Sequence, residues 1–226
     1  GKKVLITGGT KGIGVAAARM FLESEAEVFV VARNEDRIKD LILSYKAKGC
    51  KIFGVSADVG TKNGIMKIFK NVAKQWKSFD VLVNNAGYNI RKKSDEYTDK
   101  EFDSIINTNL KSTFNVSVNS LPYLIRSKNP SIINLSSVAG LTSLKTGSPY
   151  AVTKAGIIQL TKNLAVEWAV HNIRVNAIAP WYIKTPLTEK LLNDKKFLQS
   201  VINRTPMKRY GTPDEVANVI AFLASD

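Results

Sequence analysis

The chain has a single cysteine, Cys50, and a single histidine, His171, in 226 residues. One cysteine leaves no internal disulfide, which points to a reducing compartment. No Cys, His and carboxylate group falls at metal-ligand spacing, so no metal is expected. Acidic residues are also scarce, 19 against 33 Lys and Arg, for a net charge of +14. No apolar run approaches the roughly 20 residues that cross a bilayer, so no membrane span is expected. No internal repeat, linker or low-complexity tract divides the chain. What is present, 44% hydrophobic and 23% charged residues, is an ordinary globular profile able to bury one substantial core. One domain over residues 1–226 is expected. The chain opens at Gly1 without an initiator Met, almost directly on an apolar strand. A cytoplasmic location is expected, or an organelle if a targeting segment lies upstream.

The basic surplus raises the question of nucleic acid. Its residues are scattered, as in Lys67, Lys70, Lys74 and Lys77, with no aromatic residues interleaved for base stacking. We read a solvated basic surface and no nucleic-acid partner. Attraction of anionic partners, such as a phosphorylated cofactor or an acidic carrier protein, is the alternative.

Apolar runs alternate with helix-period segments, which predicts βαβ units and a parallel sheet. Strands are predicted near residues 4–7, 28–32, 51–55, 81–83, 131–135 and 174–179, with long helices over about 13–24 and 149–170. The run Val28-Phe29-Val30-Val31-Ala32 has the continuous apolar character of a strand covered on both faces. Asn34, followed by Glu35 and Asp36, is a helix start. The fold class is therefore α/β, a doubly wound parallel sheet of Rossmann type with helices on both faces. The polar signals follow strand ends, where ligands bind in such sheets.

Gly8, Gly12 and Gly14 lie between the first strand and its helix. Glycine permits a tight turn and a close backbone approach to a pyrophosphate, which the helix N-terminus then binds. After the second strand stands Arg33, with no acid at Val31 or Ala32. Arg accommodates a ribose 2′-phosphate where an acid would bind the free hydroxyl, and Lys11 in the glycine loop adds a second cation. NADP(H) is the expected cofactor.

Tyr150 and Lys154 are four residues apart and share one face of a helix. A free phenol, with a pKa of about 10, is a poor base at neutral pH. A neighbouring ammonium lowers that value, so Tyr150 is expected to give a proton to a substrate oxygen or take one. Ser137 is expected to hold that oxygen. Its neighbour Ser136 competes for the role, because adjacent strand residues face opposite sides. Asn109 is a further candidate, a polar residue in a helix that otherwise serves the core. Cys50 reads as a packing residue and His171 as a cation at a helix end.

Together these residues carry a resemblance. Over essentially its whole length the chain resembles the short-chain dehydrogenase/reductase family, through Thr7-Gly8-x-x-x-Gly12-x-Gly14, Asp58-Val59, Asn84-Asn85-Ala86-Gly87, Asn109, Ser137, Tyr150-x-x-x-Lys154 and the stretch from Pro180 to Thr185. Ala32 to Glu35, Glu167 to Ala169 and Pro180 to Leu187 make it similar to the tropinone-reductase-like branch. The resemblance implies a catalytic tetrad of Asn109, Ser137, Tyr150 and Lys154, with Asn109 holding a relay water. It implies cofactor contacts from Gly8, Thr10, Lys11, Gly12, Ile13, Gly14 and Arg33, with Asp58 and Val59 at the adenine. Asn84, Ala86 and Gly87 would line the cleft, and Pro180, Ile183 and Thr185 would lie at the carboxamide. Tyr88, Leu144 and Trp181 would shape the substrate pocket beside Ser137 and Tyr150.

Two departures stand out. Trp181 replaces the glycine that many relatives have after the proline, and an indole there would narrow the pocket unless it packs against the core. Relatives also continue past a helix like residues 213–225 into one more strand, so a C-terminal tail and final strand are expected beyond Asp226. Residues 187–201 read as an amphipathic lid helix. Reduction of a small or medium ketone with NADPH is the expected activity, in a homodimer or homotetramer. The alternatives are 3-ketoacyl-(acyl-carrier-protein) reductase, with Lys128 and His171 as basic residues near the entrance, and a non-catalytic NADP-binding sensor or scaffold.

Overall fold

Six strands appear where the apolar runs predict them, to within a residue or two. The computed structural model describes residues 1–226. In it β1 (Lys3–Thr7), β2 (Glu27–Ala32), β3 (Ile52–Ser56), β4 (Val81–Asn84), β5 (Ser131–Leu135) and β6 (Arg174–Ile178) form one sheet in the order β3-β2-β1-β4-β5-β6. Every neighbouring pair is parallel. Successive side chains on a strand face opposite ways. Val4 and Ile6 therefore enter one core, with α1 (Gly12–Glu23) and α9 (Pro213–Ala224), while Leu5 enters the other. That second core is closed by α3 (Lys62–Gln75), α5 (Ser112–Leu124) and α6 (Ser148–Glu167). Helix α2 (Glu35–Lys46) contributes Ile38 to the first core.

Local chemistry sets the helix starts. The Asn34 side chain accepts from the Arg37 N–H at 2.8 Å, and Thr61 does the same for Gly64 at 3.0 Å. Thr212 and Glu215 make a reciprocal capping box at α9. Each satisfies N–H groups that a helix start leaves free. Helix α4 (Asp99–Ile105) runs into α5 through a π turn, Ile106–Lys111, a feature that often marks a functional position.

The segment 187–201 differs from the single helix expected of it. It forms α7 (Glu189–Leu192) and α8 (Lys195–Arg204), because Asp194 turns its carboxylate onto the Phe197 N–H at 2.9 Å and starts a new helix. Helix α6 ends at Glu167, and a 3₁₀ turn, Ala169–His171, carries the chain to Asn172 in the left-handed region. β6 forms one edge of the sheet.

From β1 the chain winds outward through β2 and β3, then returns to β4 on the other side of β1. The loops after β1 and β4 therefore diverge, and the crevice they leave is where this architecture places a ligand. No helix is long and apolar enough to cross a membrane.

Candidate active site

A cavity of about 460 Å³ opens at the carboxyl ends of the strands. Gly8, Thr10, Lys11, Gly12 and Ile13 line it from the loop after β1. Arg33 lines it after β2, Asp58 and Val59 after β3, and Ala86, Gly87 and Tyr88 after β4. Tyr150 and Lys154 come from α6, Pro180 and Thr185 from the segment after β6.

The glycine loop has φ of +68° at Gly8 and +52° at Gly12, a conformation that costs other residues strain. A Cβ at Gly12 would stand 3.2 Å from Thr185 across the cleft. The N-cap of α1, Lys11, makes no side-chain cap, and no acid lies in the first turn. Free N–H groups thus face the cavity, as a pyrophosphate requires. Gly14 is buried one turn further on, packed close to Asn85.

Asn85 stands in the Asn-Asn-Ala-Gly motif without an expected role of its own. Its Nδ2 donates to the carbonyls of Thr7 at 3.0 Å and Gly8 at 3.1 Å. In return the Thr7 hydroxyl accepts from the N–H of Asn85 and of Ala86, both at 3.1 Å. The β1 and β4 loops are thereby clamped across the switch point. Asn84, expected in the cleft, does not line it. It is buried, and its Nδ2 donates to Ser117 Oγ at 2.9 Å and Asn134 Oδ1 at 2.8 Å. Strand alternation puts neighbouring asparagines on opposite sides, so Asn85 takes the place expected of Asn84.

At the other end of the cleft three side chains converge. A Cβ at Gly87 would lie 3.2 Å from Asn109 Oδ1 and 3.6 Å from Lys154 Nζ. Lys154 is 4% exposed, and burial lowers its pKa to about 8. Its Nζ donates to the Leu135 carbonyl at 2.6 Å and lies 5.5 Å from the centre of the Tyr150 ring. Tyr150 departs from expectation. Burial pushes its pKa up, opposed by a hydrogen bond with Ser137 and by the charge of Arg91. Lys154 is not among the groups that lower it, because with a pKa of about 8 that ammonium is neutral before the phenol ionises; at neutral pH it is charged.

The two serines separate cleanly. Ser136 Oγ donates to the Lys154 carbonyl at 2.7 Å and fastens β5 to α6. Ser137 caps the 3₁₀ turn Val138–Gly140, its hydroxyl accepting from the Ala139 N–H at 3.2 Å, and acts to lower the Tyr150 pKa, although Ser136 and not Ser137 lines the cavity. Asn109, fully buried in the π turn, accepts from the Tyr88 N–H at 3.0 Å and donates to the Tyr88 carbonyl at 2.9 Å. It also donates to Thr153 Oγ1 at 3.2 Å. Its side chain fixes Tyr88 and reaches α6 rather than lining the cavity.

Several expected pocket residues lie elsewhere. Ile183 belongs to the hydrophobic core and pairs its backbone with Gly211. The Trp181 indole does not narrow the cavity; it donates to Thr205 Oγ1 at 3.0 Å and packs edge-on against Tyr182. Tyr182 meets Phe197 in the same way, so these rings join the segment after β6 to α8. Leu144 is half-buried on the loop before α6, outside the cavity lining. Lys128 and His171 precede β5 and β6, at the amino ends of the strands and so away from the cavity, and neither lines it.

A doubly wound sheet with a glycine cradle at one end of its cleft and a Tyr–Lys pair, its lysine buried, at the other defines a Rossmann-type oxidoreductase. The chain belongs to the short-chain dehydrogenase/reductase family, on its tropinone-reductase-like branch. A family model described as enoyl-(acyl carrier protein) reductase matches residues 8–226. A tropinone reductase homolog of Arabidopsis thaliana is 42% identical, across 99% of this chain and 85% of the relative. A 3-oxoacyl-[acyl-carrier-protein] reductase of Thermotoga maritima is 39% identical, across 100% of this chain and 91% of the relative. The solved structure of L-sorbose reductase from Gluconobacter frateurii, with NADPH and L-sorbose, has a TM-score of 0.93 at 32% identity, covering 100% of this chain and 90% of that one.

Proposed function

We propose that the protein uses NADPH to reduce a small or medium ketone to a secondary alcohol, reversibly, with Tyr150 as proton donor. The observation that carries this reading is that Tyr150 and Lys154 line the same cavity as the glycine loop. The uncapped start of α1, Gly8 and Gly12 suit the pyrophosphate of NADP(H), Arg33 and Lys11 its 2′-phosphate, Asp58 and Val59 its adenine. When bound, the cofactor supplies the hydride exchanged with the substrate carbon.

The chain's own part is acid–base chemistry and positioning. Burial keeps Tyr150 protonated at neutral pH, the state a donor needs during reduction. As the proton leaves, negative charge develops on a ring whose centre is 5.5 Å from the Lys154 ammonium, which stabilises it. Ser137 orients the oxygen that receives the proton. Screening carbonyl compounds for NADPH oxidation tests the reading. Turnover with NADPH well above NADH is expected; no turnover with any carbonyl contradicts it.

The 39% identity to a 3-oxoacyl-[acyl-carrier-protein] reductase supports a second reading, with an acyl thioester as substrate. Rapid NADPH oxidation by acetoacetyl-CoA favours it. A non-catalytic sensor has no chemical need for Tyr150 and keeps its effect in Tyr150→Phe. We further propose that the molecule acts as a homodimer or homotetramer.

A further inference from the structure

We propose that the substrate carries a carboxylate as well as its carbonyl group, and that Arg91 is the specificity residue that pairs with it; this rests on the reductase reading above. Arg91 lies on the loop after β4, and that loop is held at both sides of it. The Tyr97 hydroxyl donates to the Ile90 carbonyl, and the Gly147 N–H donates to the Lys92 carbonyl at 3.2 Å. Gly147 is the N-cap of α6, the helix that carries Tyr150. A hydrogen bond of 2.9 Å between the Ser94 and Ser148 hydroxyls closes the same seam. Arg91 is not itself among the residues lining the cavity; it sits on a loop fastened to Gly147, at the start of α6 and one helical turn before Tyr150, and its charge reaches the phenol.

The guanidinium has no partner in the protein. It is half-buried yet belongs to none of the ion pairs. Of the acids that follow it in sequence, Asp95, Asp99 and Asp103 form no ion pair with it, and the two glutamates are engaged elsewhere. Glu101 binds Lys92 at 2.6 Å and caps α4 through Thr98, and Glu96 accepts from the Lys93 N–H at 3.2 Å. On the same loop Asn89 has both amide atoms buried without a hydrogen bond. A half-buried Arg with five free donors is matched by a carboxylate, which accepts two of them in parallel. The cofactor's phosphates do not answer this charge, because their cradle follows β1 and β2 at the other end of the cleft. A neutral ketone leaves the cation unpaired, and a protonated amine is repelled by it.

The test compares short 2-, 3- and 4-oxo acids with their methyl esters, which differ only in that charge. Steady-state NADPH oxidation gives kcat/KM for each member. At least one acid is expected to exceed its ester by about tenfold or more, chiefly through KM. The ratio should fall to near one in Arg91→Gln and return in part in Arg91→Lys. A ratio is unaffected by any general loss of active protein in a variant. Wild-type protein that reduces every ester as well as its acid overturns the proposal, as does a preference that survives Arg91→Gln. Failure of the reductase reading looks different: neither acids, esters nor neutral ketones such as cyclohexanone then oxidise NADPH.

Discussion

Enclosing the Lys154 ammonium with the Leu135 carbonyl as its only hydrogen-bond partner brings its pKa from 10.5 to about 8. Between those values the unfolded chain binds more protons than the folded one. Stability from this group is therefore present above the unfolded pKa and lost as pH falls through about 8. The cost at neutral pH is about 3 kcal/mol, shrinking to about 1 kcal/mol near pH 10. Lys154→Met should accordingly need more urea to unfold at neutral pH, with an advantage that narrows as pH rises, while losing turnover. Equal unfolding midpoints at neutral pH would contradict this. Tyr150 predicts a second profile. With a pKa raised by burial, reduction should be level below pH 8 and fall above it, as Lys154 loses its charge. An acid limb near pH 6 in kcat/KM would show that another group controls the proton. The Tyr150–Lys154 pair is legible in sequence because helical spacing alone brings residues four apart together. The direction of the tyrosine's shift is not, since it depends on burial by distant segments. Nor could spacing choose between Ser136 and Ser137, which lie just past the end of β5.

Among the elements, the loop after β4 does the most for the site. Asn85 ties it to the glycine loop, while Asn109, in the π turn, holds Tyr88. Asn85→Ala should raise the Kd for NADPH by about tenfold, one or two lost hydrogen bonds, with Tyr150 chemistry intact. Titration by protein fluorescence measures this, and an unchanged Kd would refute the clamp. The strands were readable because alternation and β-branched runs are local signals, as in β2. The clamp was not, because Thr7 and Asn85 are far apart in sequence and meet only through β1–β4 pairing. Residues 187–201 look like one amphipathic helix for the same reason. The period is right, but a single Asp194 side chain restarts the helix.

For the whole molecule, a net charge of +14 favours anionic ligands, and under the proposed use of NADPH the cation that would receive the 2′-phosphate is Arg33, in the cavity lining. Arg33→Asp should shift the NADPH-to-NADH ratio of kcat/KM toward NADH by at least tenfold; an unchanged ratio removes Arg33 from the account. Apolar side chains also remain exposed on α5 and α6, among them Phe114 and Val152, which fits self-association. The decisive measurement is the turnover of Tyr150→Phe alongside its affinity for NADPH. Proton donation by this phenol predicts that kcat falls by about 10²–10⁴-fold while NADPH still binds. Turnover close to that of the wild-type protein, with NADPH bound as before, would contradict it.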